Sequence, residues 1–157
     1  MTKYHVDKHL GSTFFEMLLV LGIVAICFSF SFSQASRWQE KLENQFFLYE
    51  FEKVLYQLQQ TALFTNQTTK ISLNQQFQKI EYETVDYNGN IVTIKLKIPS
   101  KLIVQDTQTI QFKKGNGNTG KMKKMSFICL SVNKKYSYQF QMGSGRFEKK
   151  EESNSKK

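Results

Sequence analysis

From Phe14 to Phe32 the chain reads FFEMLLVLGIVAICFSFSF, nineteen residues in which Glu16 is the only charged side chain. Nineteen or so apolar residues suffice to cross a hydrocarbon core as a helix. The run has no polar face before Ser29, Ser31 and Ser33. A helix apolar on all sides belongs in a membrane or deep inside a large protein. A chain of 157 residues offers one domain, or one domain with an appendage, so the membrane is the better home. Glu16 then needs a reason, because a carboxylate at mid-bilayer costs roughly 2.5–3.5 kcal/mol.

A secretory signal peptide accounts for Lys3 and Lys8 ahead of the run, but it puts Glu16 inside the apolar region and lacks an A-x-A cleavage site. A lipoprotein signal fails on Ile26, which stands where a small residue must precede the cysteine, here Cys27. A plain single-pass anchor leaves Glu16 unexplained. Charge counting does not orient it, since Lys3 and Lys8 are balanced by Arg37 and Lys41 on the other side.

Beyond the run, residues 34–63 contain neither proline nor glycine. Trp38, Leu42, Phe46, Phe47, Phe51, Leu55, Leu58 and Ala62 recur at mostly three- or four-residue steps, which predicts an amphipathic helix over 34–66. Joined to the apolar run it makes one helix of about fifty residues, on the order of 75 Å long. The period then changes to two. Strands are expected at 70–74, 78–85, 91–98, 101–105, 109–112, 126–132 and 135–142, with a residue or two more at Arg146–Phe147. Asn88-Gly89 is a type I′ hairpin signal, and KKGNGNTGKMKK (113–124) reads as a basic, flexible, glycine-rich loop. The expected organisation is a leader at 1–11, a membrane and assembly helix at 12–33, an amphipathic helix at 34–66, an antiparallel sheet head at 67–147 and a charged flexible tail at 148–157. The fold class is α+β, with the second half of one long N-terminal helix laid on an antiparallel β-sheet.

Little here suggests catalysis. The two histidines, His5 and His9, both precede Gly11, and the two cysteines, Cys27 and Cys129, stand about a hundred residues apart. No Cys/His metal cluster and no Ser-His-Asp set can be built from them. No cofactor is expected and the chain reads as a non-enzyme. Gly115-Asn116-Gly117-Asn118 is not followed by the GK[ST] that a phosphate loop needs. The formal charge of +9 implies attraction to polyanions or anionic lipid. Lys113, Lys114, Lys121, Lys123 and Lys124 concentrate that charge and are candidates for salt-dependent contact with DNA phosphates. They lack the interleaved aromatic residues that stack bases.

The stretch Gly11-Ser12-Thr13-Phe14-Phe15-Glu16 resembles the type III signal of type IV prepilins: glycine, the cleaved bond, a variable residue, often threonine, two apolar residues, then glutamate. Ser12 stands where phenylalanine is commonest. The resemblance implies cleavage between Gly11 and Ser12 by a prepilin peptidase, N-methylation of the new Ser12 amine, and assembly through Thr13, Phe14, Phe15 and Glu16. It also gives the acid a role: a neighbouring subunit's Glu16 neutralises the Ser12 ammonium as helices pack, since pairing offsets the cost of burying either charge.

Farther along, ENQFFLYEFEKVLYQLQQTA (43–62), KISLN, TIQFKKGNGNTGKMKKMSF and YSYQFQMGSGRF resemble minor pilins of the ComGD type from the competence pilus of Gram-positive bacteria. That implies a pseudopilin in a filament for DNA uptake during natural transformation. Its partners would be the major competence pilin, other minor pilins, the peptidase and the membrane, with DNA reached through the filament. The implied location is a single-pass cell-membrane protein with its head outside, then the cell-surface pilus. A type II secretion-like pseudopilin and a membrane-anchored basic binding protein that never polymerises remain as alternative readings of the same features.

Overall fold

The computed structural model describes residues 10–154, with side chains at 10–12, 30–35 and 37 left aside. The leader expected at 1–11 therefore lies outside the described residues, except for the helical backbone of Leu10 and Gly11. Among the described residues the chain is α+β: helix α1 (Leu10–Phe64) is followed by eight strands. It divides into two compact units, Met1–Gln39 and Glu40–Lys157, taken here in turn.

In the first unit every described side chain from Thr13 to Ser29 is exposed. Phe14, Phe15, Leu21 and Phe28 are each about 70 % accessible, and Leu18, Leu19, Val20 and Ile23 more than half. Ser29 Oγ donates to Ala25 O at 2.9 Å, so its hydroxyl is satisfied within the helix and adds no polar demand. Among the described residues no helix is long and apolar enough to cross a membrane. The expected span at 12–33 runs on through 30–33, whose side chains lie outside the described set.

In the second unit one face of α1 is buried: Phe47, Leu48, Phe51, Val54, Leu55, Leu58 and Ala62. Leu42 and Phe46, expected in the same stripe, are 47 % and 69 % exposed, and Trp38 in the first unit is 63 % exposed. The reason is angular. At about 100° per residue, repeated steps of four drift some 40° each around the helix, and the move from Phe46 to Phe47 turns a further 100°. The helix ends where Thr65 N and Thr65 Oγ1 both donate to Thr61 O, at 2.9 and 2.7 Å. Asn66 follows in the left-handed region (φ 52°), a position asparagine tolerates at a helix C-terminus.

The strands are β1 (Thr69–Asn74), β2 (Lys79–Val85), β3 (Ile91–Leu96), β4 (Leu102–Val104), β5 (Gln108–Phe112), β6 (Lys124–Cys129), β7 (Lys134–Phe140) and β8 (Phe147–Ser153). They form two four-stranded sheets rather than one, ordered β3-β2-β1-β5 and β4-β6-β7-β8, with every pairing antiparallel. The break comes at Ile98-Pro99-Ser100. Proline brings no donor for the ladder, β3 stops at Leu96 instead of Ile98, and the chain crosses to the second sheet at β4. Gln78, at φ 46°, ties the sheets together. Its amide oxygen accepts from Val104 N at 2.8 Å while its Nε2 donates to Val104 O at 3.0 Å.

Two further expectations are corrected. Asn88-Gly89 does not form a type I′ turn, because only Gly89 has positive φ (81°). Asp86 accounts for this: its Oδ1 accepts from Asn88 N and Asn90 N, at 2.9 and 2.8 Å, and Gly89 N donates to Asp86 O at 3.1 Å. The result is a three-residue loop with glycine at the bulge position. The tail expected at 148–157 is not a flexible appendage through Ser153, since Phe147–Ser153 is strand β8 and pairs with β7 from Phe140↔Phe147 to Lys134↔Ser153; residues 155–157 lie outside the described residues. Phe147 anchors it, its ring centroid 5.1–5.7 Å from those of Tyr56, Tyr138 and Phe140.

Between helix and sheets lies an aromatic core. Phe51 meets Phe127 and Tyr138 edge-on, with centroids 4.9 and 5.2 Å apart, the geometry that ring quadrupoles favour. Ile71, Leu73, Ile80, Ile110 and Phe112 from the first sheet complete it.

Candidate functional site

Three regions carry the residues of interest. The first is the GSTFFE stretch. Gly11 and Ser12 have helical backbone within α1, and Thr13, Phe14, Phe15 and Glu16 follow as exposed positions. Glu16 is thus a single carboxylate on a helix surface that is otherwise apolar on every side through Phe28.

The second is the basic loop. Its flexible character is corrected: it is a folded buttress on the C-terminal end of α1. Gly115 N donates to Ala62 O at 3.0 Å, Lys113 N to Asn118 O at 3.0 Å and Gly117 N to Lys113 O at 2.9 Å. Phe112 and Thr119 form an isolated bridge. Gly117 (φ 58°) is pressed against α1, where a Cβ would stand 3.0 Å from side-chain atoms of Gln59 and Leu63. Gly145 (φ 65°) is tighter still, with 2.2 Å from such a Cβ to Gly117 O. Gln59 Nε2 closes the junction by donating to Ser144 O at 3.2 Å.

This anchoring gathers three of the five candidate lysines. Lys113, Lys121 and Lys123 line one open cleft of about 430 Å³ with Thr109, Gln111 and Thr119. Lys114 and Lys124 are exposed and lie outside that lining. Lys123 Nζ donates to Thr109 O, so this ammonium is also a structural clip. Among the described residues none of the five takes part in an ion pair, whereas Lys70, Lys79, Lys134, Lys149 and Lys150 all do. An unpaired basic cleft attracts anions, and nothing in its geometry selects one base or substrate.

The third region joins α1 to the second sheet, and sequence reasoning missed it. Glu52 Oε1 accepts from Tyr138 OH at 2.9 Å and from Lys149 Nζ at 2.7 Å. Burial, and then the Glu52 carboxylate, push the Tyr138 phenol far above its usual range. Tyr136 is raised by burial and then by Glu151, and Tyr82 by burial and then by Glu50. Nearby, buried Asn44 donates through Nδ2 to Ser131 Oγ at 2.9 Å and to Cys129 Sγ at 3.2 Å. Asparagine and glutamate on a helix read as solvated residues in sequence; the end of β6 and the turn after it bring Asn44 its partners, and paired β7 and β8 bring Glu52 its own. Both groups work as struts, since neither combines a nucleophile with a base.

Among the described residues no group of three or more His, Cys, Asp or Glu side chains is placed to hold a metal ion. No family model, curated protein or solved structure matches the chain.

Proposed function

We propose that this chain is a minor pilin, a pseudopilin subunit of a competence-type, type IV-like pilus that serves DNA uptake in natural transformation. One observation carries the reading: the surface of α1 from Phe14 to Phe28, apolar on all sides with Glu16 as its single acid, five positions after Gly11 and ahead of a compact α+β head. Uncovered apolar surface on this scale calls for lipid or other helices around it. A helix with all its backbone bonds made internally is the form that lipid accepts.

In this reading the apolar half of α1 sits in the cell membrane as a single pass with the head outside. Prepilin peptidase hydrolyses the Gly11–Ser12 bond, leaving a new ammonium at Ser12. During assembly with the major competence pilin and other minor pilins, that ammonium meets a neighbour's Glu16, so neither charge is buried alone. Phe14 and Phe15 exchange lipid for helix contacts, and the subunit passes into the cell-surface filament. The subunit contributes no catalysis; DNA is held by the filament, with the basic cleft as an auxiliary contact.

The test is the N-terminus of the chain recovered from a competent cell. Wild type should begin at Ser12, and Gly11→Ala should retain residues 1–11 and fail to enter filaments. A wild-type chain that keeps its first eleven residues and still supports transformation overturns the proposal.

A further inference from the structure

We infer that the outer edge of β3 is a docking edge for an extended, acidic strand of another protein. Two four-stranded sheets have four outer strands: β3, β5, β4 and β8. Unpaired strand edges invite other strands, and folded proteins usually block them. Three of the four are blocked here, each by a different device. On β4 the Gln78 side chain pairs with both N and O of Val104. On β5 the Lys123 ammonium occupies Thr109 O, and the bridge from Phe112 to Thr119 closes the far end. On β8 the exposed run Glu148-Lys149-Lys150-Glu151-Glu152 is charged at every position.

On β3 no side chain or loop bonds the outer backbone groups among the described residues, and Lys95 is its one charged position. Asp86 N donates to Asn90 O at 2.9 Å, which fixes the hydrogen-bonding phase of the β2–β3 pair. Alternation along an antiparallel ladder then turns the backbone groups of Val92, Ile94 and Leu96 toward β2, and those of Ile91, Thr93 and Lys95 toward the open edge. Ile91 is 61 % exposed and Ile94 41 %. This edge is therefore both unpaired and apolar.

Charge selects the occupant. Residues 91–101 contain no Asp or Glu but carry Lys95, Lys97 and Lys101. The carboxylates across the ladder are already engaged, Glu81 with Lys79 and Glu83 with Lys70. Lys95, opposite Glu81 in register, forms no ion pair among the described residues. An added strand with apolar side chains on the face of Val92 and Ile94, and an acid opposite Lys95, satisfies both the backbone and the cation. A second copy pairing through its own β3 has no acid to place there, and on its acidic edge strand β8 Glu151 is already held by Lys134. The inference does not depend on the proposed function.

The test uses the full chain in detergent micelles and two blocked peptides, acetyl-TVEVTV-amide and acetyl-TVKVTV-amide, at up to millimolar concentration. The glutamate peptide should slow amide hydrogen exchange at Ile91, Thr93 and Lys95, and bind about fivefold more tightly than the lysine peptide. Thr93→Pro removes an outward donor at an edge position, where proline is tolerated; it should abolish the slowing while exchange in β1 stays unchanged. Lys95→Glu should reverse the peptide preference whether or not the proline variant folds. No slowing with either peptide, equal slowing with both, or concentration-dependent slowing in the chain alone (pairing between copies) overturns the proposal.

Discussion

Tyr138, with no exposed surface, donates its phenolic proton to Glu52 Oε1 at 2.9 Å, linking β7 to helix α1. The same oxygen accepts from Lys149 on β8, so one carboxylate holds helix and two strands. Glu52→Ala leaves a buried hydroxyl without a partner and should cost about 1–3 kcal/mol. Tyr138→Phe removes the donor as well and should cost less. Chemical denaturation of the full chain in micelles measures both, and equal stability of Glu52→Ala and wild type would remove this role.

Stability should fall in alkali. Tyr82, Tyr136 and Tyr138 are all raised in the folded state, while tyrosines in the unfolded chain ionise near pH 10 (about 10.0). Above about pH 10 the folded chain therefore holds more protons than the unfolded one, and its stability declines as pH rises. Below that range these groups contribute no pH dependence. Thermal midpoints between pH 8 and 11 (roughly the span around that ionisation) should drop for wild type and drop less for Tyr138→Phe.

The glycine junction predicts a contrast between two substitutions to the same residue. Gly145→Ala forces a side chain into the left-handed region and within 2.2 Å of Gly117 O; the expected loss is about 2–4 kcal/mol. Gly89→Ala shares the positive φ, but nothing stands within 4 Å of its Cβ position, and the loss should be about 1 kcal/mol. Similar losses at the two positions would show that crowding at Gly117 does not matter.

For the basic cleft the readout is salt. Replacing Lys113 and Lys121 by Gln should reduce the salt dependence of duplex DNA binding by about two counterions, roughly one per lysine. Replacing Lys114 and Lys124, which lie outside the cleft lining, should reduce affinity less. Equal effects from the two pairs would indicate diffuse attraction to the whole +9 chain.

On the proposed pilin reading, Glu16→Gln separates processing from assembly. The variant should still be cleaved between Gly11 and Ser12, yet its recovery in sheared filaments should drop at least tenfold, about the effect of leaving one charge without a partner. Normal recovery would mean that Glu16 is not the acid that meets the new amine.

How much of this was legible in the sequence depended on whether a pattern was local. The amphipathic half of α1 and the strand positions follow from spacing within a few residues, and they were found. The part of the stripe at Leu42 and Phe46 misled because steps of four look regular while drifting around the helix. Of strand β8 the sequence shows only the start at Phe147, since EKKEES lacks alternation; its pairing rests on Phe147 and on ion pairs with Lys134 and Glu52. The tie between the two sheets depends on Gln78 reaching Val104, an event between side chain and backbone that no periodicity encodes. In the basic loop the lysines were visible, but the sorting of three into a cleft came from Gly117 and Gly145 packing on Gln59.

Phe147 also bears on when the head can fold. Vectorial synthesis delivers α1 first and β8 last of the eight strands, and the aromatic core lacks one of its rings until β8 has emerged. A nascent chain whose earlier strands are already made still has Tyr56, Tyr138 and Phe140 without the ring that packs on all three. The ring contacts at this corner of the head therefore form only after β8 has been made.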